Sequence, residues 1–431
     1  MSSNDKWKKY KLGELIEINA QSITANFPFD EIEYIDTASV TNNKFESVQK
    51  IKLSEAPSRA KRIVRDGDVI LSTVRPIQRH FGFIRNPKPY TIASTGFAVL
   101  TPKKIFPEFL YYYLSQDSIT YYLNGIAETT TTTFPAFRPD TLEDLEIEIP
   151  DDIETQRRIA DILSALDEKI ELNRQTNATL ESIAQAIFRE WFVEFNFPDP
   201  DETDPKGLSR DHAPLQAKES GKNGSRQAGQ TFRVSGIPQG WRVGKLGDVI
   251  EIKGGTTPST KEEKYWNGEY YWATPKDLSN LSSPILLDTE RKITKEGVSQ
   301  IGSGILPKGT LLLSSRAPIG YLAISNVPIS INQGFIAINA KELSNLFMLH
   351  WLKENMETII SRANGSTFLE ISKTSFKDIE LVIPDVQTAT RFEEIVSPIF
   401  EQINNNEQQS ATLAAVRDAL LPKLMSGEIE V

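Results

Sequence analysis

The chain holds 431 residues, 39% of them hydrophobic and 25% charged, with a formal net charge of −10, three histidines and no cysteine. That length exceeds one ordinary core and leaves room for roughly two to four domains. The lack of cysteine excludes disulfides and thiolate metal sites and fits a reducing, cytoplasmic setting. His80, His212 and His350 are too scattered to form a ligand pair, so no metal site is expected. No run of about 18 apolar residues appears that could span a bilayer, and the opening MSSNDKWKKYKL holds no apolar signal core.

Residues 1–150 read as a first mixed α/β module. Short β-rich runs such as DVILSTV and GFAVL are bounded by Gly, Pro and Thr turn signals. The stretch 106–123, FPEFLYYYLSQDSITYYL, has helical spacing of apolar residues, with its aromatics read as core rather than as a base-stacking platform. The acidic balance of the whole chain is misleading here. Between Lys44 and Lys104 there are thirteen Lys/Arg against four acidic residues, whereas 150–195 holds ten acidic and five basic residues and 384–431 holds eight and three. The negative charge sits mostly away from the first module.

Over 151–195 the apolar period changes. Ile159, Leu163, Leu166, Ile170, Asn173, Asn177, Leu180, Ala184 and Ile187 follow alternating steps of four and three, the seam of a coiled coil. Residues 196–238 are rich in Pro, Asp, Gly, Ser and Lys and read as a loosely ordered linker. A second module over 239–383 includes a helical stretch at 344–360. The segment 384–431 carries a second seam of Phe392, Val396, Ile399, Ile403, Asn406, Ser410, Leu413, Arg417 and Leu420, at an offset of 233 from the first. A helix of about 30 residues is ~45 Å long, more than one turn of B-DNA at ~34–36 Å. Antiparallel pairing about a mid-seam pseudo-twofold axis makes facing residue numbers sum to about 579, which sets Asn173 against Asn406 as a register device.

The two halves repeat. WKKYKLGELIEI from Trp7 matches WRVGKLGDVIEI from Trp241, and DGDVILSTVRPI (66–77) matches KGTLLLSSRAPI (308–319). TGFAVL (95–100) answers QGFIAI (333–338), and TFPAFRPDTLEDLEIEIP (133–150) answers TFLEISKTSFKDIELVIP (367–384). Four matches in one order, at offsets between 234 and 242, mark a duplication. The expected architecture is α/β mixed (α+β) recognition domains, duplicated and separated by two long helices that form an antiparallel coiled coil.

With the IPQGW lead-in at 237–241, KLGE and KLGD after each tryptophan, and the closing LLPKLMSGEIEV, this chain resembles the specificity subunit of type I restriction-modification systems. KGGTTPSTKEEKYW (253–266), YWATPKDL (271–278), LLSSRAPIGY (312–321) and INQGF (331–335) look like motifs of that family's target recognition domains. The first module departs from them, with LSTVRPIQRHFG in place of the SSRAPIG form and a threonine run, Thr129 to Thr133, where the second has GSTF. The resemblance implies that each module reads one short half of a split double-stranded DNA target and that the helices fix the gap. It also implies docking of two methyltransferase subunits and of restriction/translocase subunits. AdoMet, ATP and Mg²⁺ then belong to those partners, and this chain carries no cofactor, no catalytic residue and no membrane contact.

Lys and Arg neutralise phosphates, while Arg suits guanine and Asn or Gln suits adenine. The candidate DNA-binding residues of the first module are Arg59, Lys61, Arg62, Arg65, Arg75, Arg79, His80, Arg85, Thr131, Thr132 and Arg138. Those of the second are Lys253, Thr256, Thr257, Trp272, Thr274, Lys276, Arg316, Asn332, Gln333, Ser366 and Thr367, with Trp272 the structural member. Gly254-Gly255 allows close backbone approach to a ligand. No GxxxxGK[ST] phosphate loop, no GxGxxG and no [DNS]PP[YFW] tetrapeptide is present. Asp288, Glu290 and Lys292 have a nuclease-like spacing that occurs by accident and has no twin in the first module. The alternatives are a coiled-coil protein-binding scaffold and a self-contained DNA-modifying enzyme.

Overall fold

The computed structural model describes residues 7–46, 48–130, 135–198, 236–365 and 369–431. Its contacts divide into two compact units, Met1–Ile170 with Ala411–Val431, and Glu171–Ser410. Of the expected linker, residues 199–235 lie outside the described residues, as do Thr131, Thr132, Ser366 and Thr367.

The first unit is built on strands β1 (Trp7–Lys11), β2 (Ile16–Ile18), β3 (Glu31–Ile35), β4 (Gln49–Lys52), β5 (Ala60–Ile63), β6 (Val69–Ser72), β7 (Phe81–Phe83), β8 (Thr91–Ser94) and β9 (Phe97–Pro102). Helices α1 (Pro107–Ser115) and α2 (Asp117–Thr130), strand β10 (Glu146–Pro150) and the long helix α3 (Ile153–Phe192) follow. One sheet has the order β4-β3-β8-β5 and another β2-β9-β6-β7, while β1 pairs with β10. β3 and β8 run parallel, flanked by antiparallel neighbours. The run VILS of β6 is buried throughout, which explains its unbroken apolar character without alternation. Phe109 and Leu110 of α1 pack on that sheet, together with Ile159 and Leu163 from α3 and with Leu424 and Met425.

The second unit repeats this plan. Its strands are β11 (Arg242–Lys245), β12 (Ile250–Gly254), β13 (Trp266–Ala273), β14 (Ile285–Leu286), β15 (Arg291–Ile293), β16 (Leu311–Ser315), β17 (Ile319–Ser325), β18 (Ile329–Ile331) and β19 (Phe335–Ala340). Helix α4 (Asn345–Glu354), strand β20 (Glu380–Ile383) and helix α5 (Val386–Met425) complete it. The sheets are β12-β19-β16-β17-β14, β15-β13-β18 and β11-β20: the order β2-β9-β6-β7 recurs with β14 added at its end, and β4-β3-β8 recurs without a counterpart of β5. The parallel pair is now β13 with β18. In the core, Phe188, Phe192, Phe347 and Phe392 meet ring against ring at centroid separations of 4.8–6.1 Å.

In each unit α3 and α5 pack together along the seams. Ile159 and Leu163 are buried, Leu166 and Ile170 half-buried; Asn173, Asn177 and Ala184 are buried, and Leu180 and Ile187 half-buried. On α5, Phe392, Val396, Ile403 and Asn406 are buried, with Ile399, Ser410, Leu413, Arg417 and Leu420 half-buried. The polar layer differs in detail from the expected register. Asn173 Nδ2 donates to the Asn406 carbonyl at 3.3 Å and to Gln409 Oε1 at 2.9 Å, but the side-chain amide of Asn406 donates to Asn177 Oδ1 at 2.8 Å. The amide pair therefore lies one helical turn from Asn173. A seam residue inserts between partner residues on successive turns, so it touches two of them. In the first unit Arg417 takes a seam position and pairs with Asp167 Oδ1 at 2.5 Å, while the Tyr112 hydroxyl donates to Asp167 Oδ2 at 2.8 Å. Burial, with Asp167 beside it, pushes the Tyr112 phenol far above its usual range.

Candidate nucleic-acid interface

Parallel strands deliver their following loops to the same edge of a sheet, and the pair β13 and β18 does this in the second unit. β13 ends at Ala273 and β18 at Ile331, and the Asn332 N–H donates to the Ala273 carbonyl at 3.0 Å. Thr274 then caps a short helix, Pro275–Ser279, its N–H and hydroxyl both donating to Asp277 Oδ2 at 2.7 and 2.8 Å. The loop after β12 comes to the same edge. Thr256 N–H donates to the Ile331 carbonyl at 3.1 Å, and a Cβ on Gly255 would stand 1.8 Å from that oxygen. Glycine is needed here for backbone contact within the protein, not only for approach to a ligand.

These bonds sort the candidates. Asn332 Oδ1 accepts from the Gly334 N–H at 2.8 Å, so this side chain holds its own turn. Gln333 is exposed at the tip of the turn, and its Oε1 accepts from the Thr257 hydroxyl at 2.6 Å. Trp272 leaves the set of DNA contacts: it is 3% exposed, lies edge-on to Trp266 at 5.0 Å, and donates from Nε1 to the Thr256 carbonyl at 3.3 Å. Arg291 covers Trp266 from 3.5 Å, closing this layer. The Thr274 hydroxyl is occupied by the cap, and Lys276 pairs with Glu290 at 2.7 Å. Lys253 is exposed, and Arg316 follows β16 with Nη1 3.6 Å from Glu370. Sequence reasoning passed over Lys373. It opens the short helix Lys373–Lys377, and its Nζ comes so close to Gly254 that a Cβ there would stand 2.3 Å away. In the sequence it is one lysine in a polar stretch; only the fold returns it to the glycine loop.

The first unit builds the equivalent edge from β3 and β8. Thr95 follows β8, and its N–H donates to the Arg59 carbonyl at 2.8 Å, which places Arg59 at this edge. Thr73 N–H donates to the Gly96 carbonyl at 2.9 Å, the counterpart of the bond from Ser315 N–H to the Gly334 carbonyl at 2.8 Å. Arg75 stands just beyond, in left-handed backbone at φ +48°, its N–H bonded to the Pro135 carbonyl at 2.8 Å, with exposed Arg138 three residues on from that proline. Side chains held in that conformation are uncommon and cluster at sites where direction matters. Lys61 is exposed on β5, and Arg62 reaches back to Ser22 Oγ at 3.3 Å.

Of the remaining first-module candidates, Arg79 and His80 share the turn of Arg75 but are held by partners, and Arg65 and Arg85 lie away from it. β5 runs antiparallel to β8, so the basic run 59–65 is stretched along the sheet and Arg65 leaves the edge, its N–H donating to Asp68 Oδ2 at 2.7 Å. Arg79 pairs with Asp117. His80 Nδ1 donates to the Val40 carbonyl at 2.7 Å. Arg85 follows β7 at the far end of that hairpin, 5.2 Å over the Phe83 ring and 3.6 Å from Glu168. The basic residues are thus spread along β5 of one sheet and β7 of the other, because extended chain moves about 3.3 Å per residue. Among the described residues no group of three or more His, Asp or Glu side chains is placed to hold a metal ion, and no helix is long and apolar enough to cross a membrane.

The chain matches the family described as type I restriction modification DNA specificity domain at residues 4–182 and again at 238–415. It is similar to the type I restriction enzyme HindI specificity subunit of Haemophilus influenzae, 30% identical over 466 residues that cover 98% of this chain and 99% of that one. It also resembles the MjaIX specificity subunit of Methanocaldococcus jannaschii, 37% identical over 186 residues, 42% of this chain and 43% of the relative. Among solved structures, the type I restriction-modification system S subunit from M. genitalium shares the fold, with a TM-score of 0.53 and 16% identity over 97% of this chain and 96% of that one.

Proposed function

The chain belongs to the type I restriction modification DNA specificity family, and from that premise we propose how its parts divide the work. It is the specificity subunit of a type I restriction-modification system, with two DNA recognition domains. Each domain engages one half of a split double-stranded target with the side chains at its strand-end edge, the cations on phosphates and the polar tip on bases: Arg59, Thr95, Arg75 and Arg138 in the first, and Thr257, Gln333, Arg316, Lys253 and Lys373 in the second. Helices α3 and α5 hold the gap between the halves. Two methyltransferase subunits dock on the chain, and restriction/translocase subunits join them in the cytoplasm. AdoMet, ATP and Mg²⁺ act in those partners, which leaves this chain without a catalytic residue.

The observation that supports this reading best is the pairing of equal frames with unequal edges. The bond from Thr73 to Gly96 and that from Ser315 to Gly334 hold equivalent turns, yet one turn presents Thr95 and the other Gln333. Side chains at base edges specify sequence, while phosphate contacts only position the protein.

The test is to produce the chain with its methyltransferase partner in cells and map the methylated sites. A two-part motif with one fixed gap is expected, and replacing residues 1–150 with another module changes one half only. Methylation or cleavage by the purified chain alone overturns the reading. Binding that is insensitive to salt favours the protein-binding scaffold, because counterion release gives DNA binding a steep salt slope.

A further inference from the structure

We propose that Gln333 reads an adenine in the second half of the target and that Thr257 is the positioning residue that aims it; this rests on the division of labour proposed above. The backbone under Gln333 is tied down on every side. Ile331 accepts from Thr256, Asn332 donates to Ala273, Gly334 donates to the Asn332 side chain, and Gly334 accepts from Ser315, all at 2.8–3.1 Å. A side chain on so fixed a turn samples few positions, which is what a base reader requires. Gln333 is nevertheless exposed, so its amide reaches solvent rather than the core.

The Thr257 hydroxyl donates to Gln333 Oε1 at 2.6 Å. That bond uses one lone pair of the oxygen. The other lone pair and both Nε2 hydrogens remain, and the amide nitrogen has no partner among the described residues. One acceptor beside one donor is the complement of adenine in the major groove, whose N6 donates and N7 accepts. Guanine presents two acceptors there and meets Oε1 with a repulsive O6. The flanking cations Lys253, Arg316 and Lys373 supply phosphate contacts that carry no base preference.

The first module carries the independent observation. Gly96 and Phe97 repeat Gly334 and Phe335, and the turn bond repeats as well, but the tip residue is Thr95. The duplication has kept the frame and exchanged the side chain that faces out, as a specificity position demands.

The experiment maps methylated sites in cells making the full chain with its methyltransferase partner, for wild type, Gln333→Ala, Gln333→Glu, Thr257→Val and Thr257→Ser. Gln333→Ala is expected to relax one A·T position of the second half by about 10- to 100-fold in preference, with the first half and the gap unchanged. The near-isosteric Gln333→Glu moves that position towards a cytosine on the contacted strand, since a carboxylate accepts from its N4. Thr257→Val relaxes the same position more weakly, and Thr257→Ser, which keeps the hydroxyl, restores it. Relaxation at a G·C position, or equal loss at all positions, overturns the adenine assignment. Equal behaviour of Thr257→Val and Thr257→Ser overturns the positioning role. A wild-type chain that yields no two-part motif sinks the underlying reading and this one with it, whereas a two-part motif untouched by Gln333→Ala sinks this one alone.

Discussion

Replacing Asn406 with leucine tests the polar layer of the helix pair. Asn406 is 7% exposed and Asn177 1%. In Asn406→Leu the Asn177 Oδ1 loses its 2.8 Å donor in a place water does not reach, while Asn177 Nδ2 keeps Glu407 Oε1 at 2.9 Å. An orphaned buried acceptor costs about 1–3 kcal/mol. Asn177→Leu costs a similar amount, because the Asn406 amide is stranded in turn. The double variant removes both amides; Gln402 and Glu407, their other partners, are exposed and half-buried and turn to water. Its cost is expected near zero, so the coupling in the double-mutant cycle approaches the sum of the two single costs, about 2–6 kcal/mol. For a unit of this size each kcal/mol moves Tm by about 2–4 °C, so the single variants melt several degrees lower and the double variant close to wild type. With Asn173 left as the one buried amide of the seams, a register is less sharply distinguished from its neighbours. The double variant in complex with its methyltransferase partner should therefore methylate sites with more than one gap length. Additive single effects would refute the pairing, and a single gap in the stable double variant would refute the register role.

Burial and the neighbouring Lys353 push His350 down to about 3, and its Nδ1 donates to Gln185 Oε1 at 2.8 Å. The unfolded chain binds a proton at about 6.5 that the folded one refuses, so this group's contribution is complete above that pH and falls by about 1.4 kcal/mol per unit as pH drops from 6.5 towards 3. Chemical denaturation against pH checks it: His350→Leu should have a shallower slope between pH 6 and 4.5, and an unchanged slope counts against the assignment. Gly255→Ala is expected to abolish recognition of the second half-target in binding assays, because its methyl group would meet the Ile331 carbonyl, while Gly125→Ala, with open space on α2, raises stability by about 0.5–1 kcal/mol. Arg59→Ala and Arg75→Ala should each lower DNA affinity across sequences and reduce the salt slope by about 1; Arg65→Ala and Arg85→Ala, away from the edge, should leave the slope as it was.

The duplication and the seams were legible because they rest on periodicity, which survives without knowledge of tertiary contacts. Ile159 and Leu163 are apolar at coiled-coil spacing whether or not the partner helix is known, and both are buried in the structure. The edge residues were legible only by type. Nothing in the run from Arg59 to Arg65 announces that β5 will carry its two ends to opposite ends of a sheet. Arg85 reads like Arg75 until Phe83 and Glu168 are seen beside it. Lys373 was invisible, being 119 residues from the Gly254 that it covers. Trp272, read as structural among the second-module candidates, is buried against Trp266 with Arg291 over the pair.

The helix ends explain why the sequence repeat and the compact unit are different divisions of the chain. Leu424 and Met425, at the end of α5, are 1% and 4% exposed in the core of the first unit, whereas Trp191 and Phe192, at the end of α3, are 7% and 9% exposed in the core of the second. Trp7 of the first module lies against Gly427, and Trp241 of the second stacks on Phe197 at 5.2 Å and meets Phe195 at 5.5 Å. Each module's leading tryptophan is therefore covered by the chain that follows the other module's helix. Fully burying a large apolar side chain contributes about 1.5–3 kcal/mol, so the helix-end residues supply a sizeable share of a marginal total. Neither repeat completes a core from its own residues. Removing one repeat's helix end is therefore expected to lower the melting temperature of the other repeat's recognition module, and an unchanged melting temperature would refute this sharing of cores.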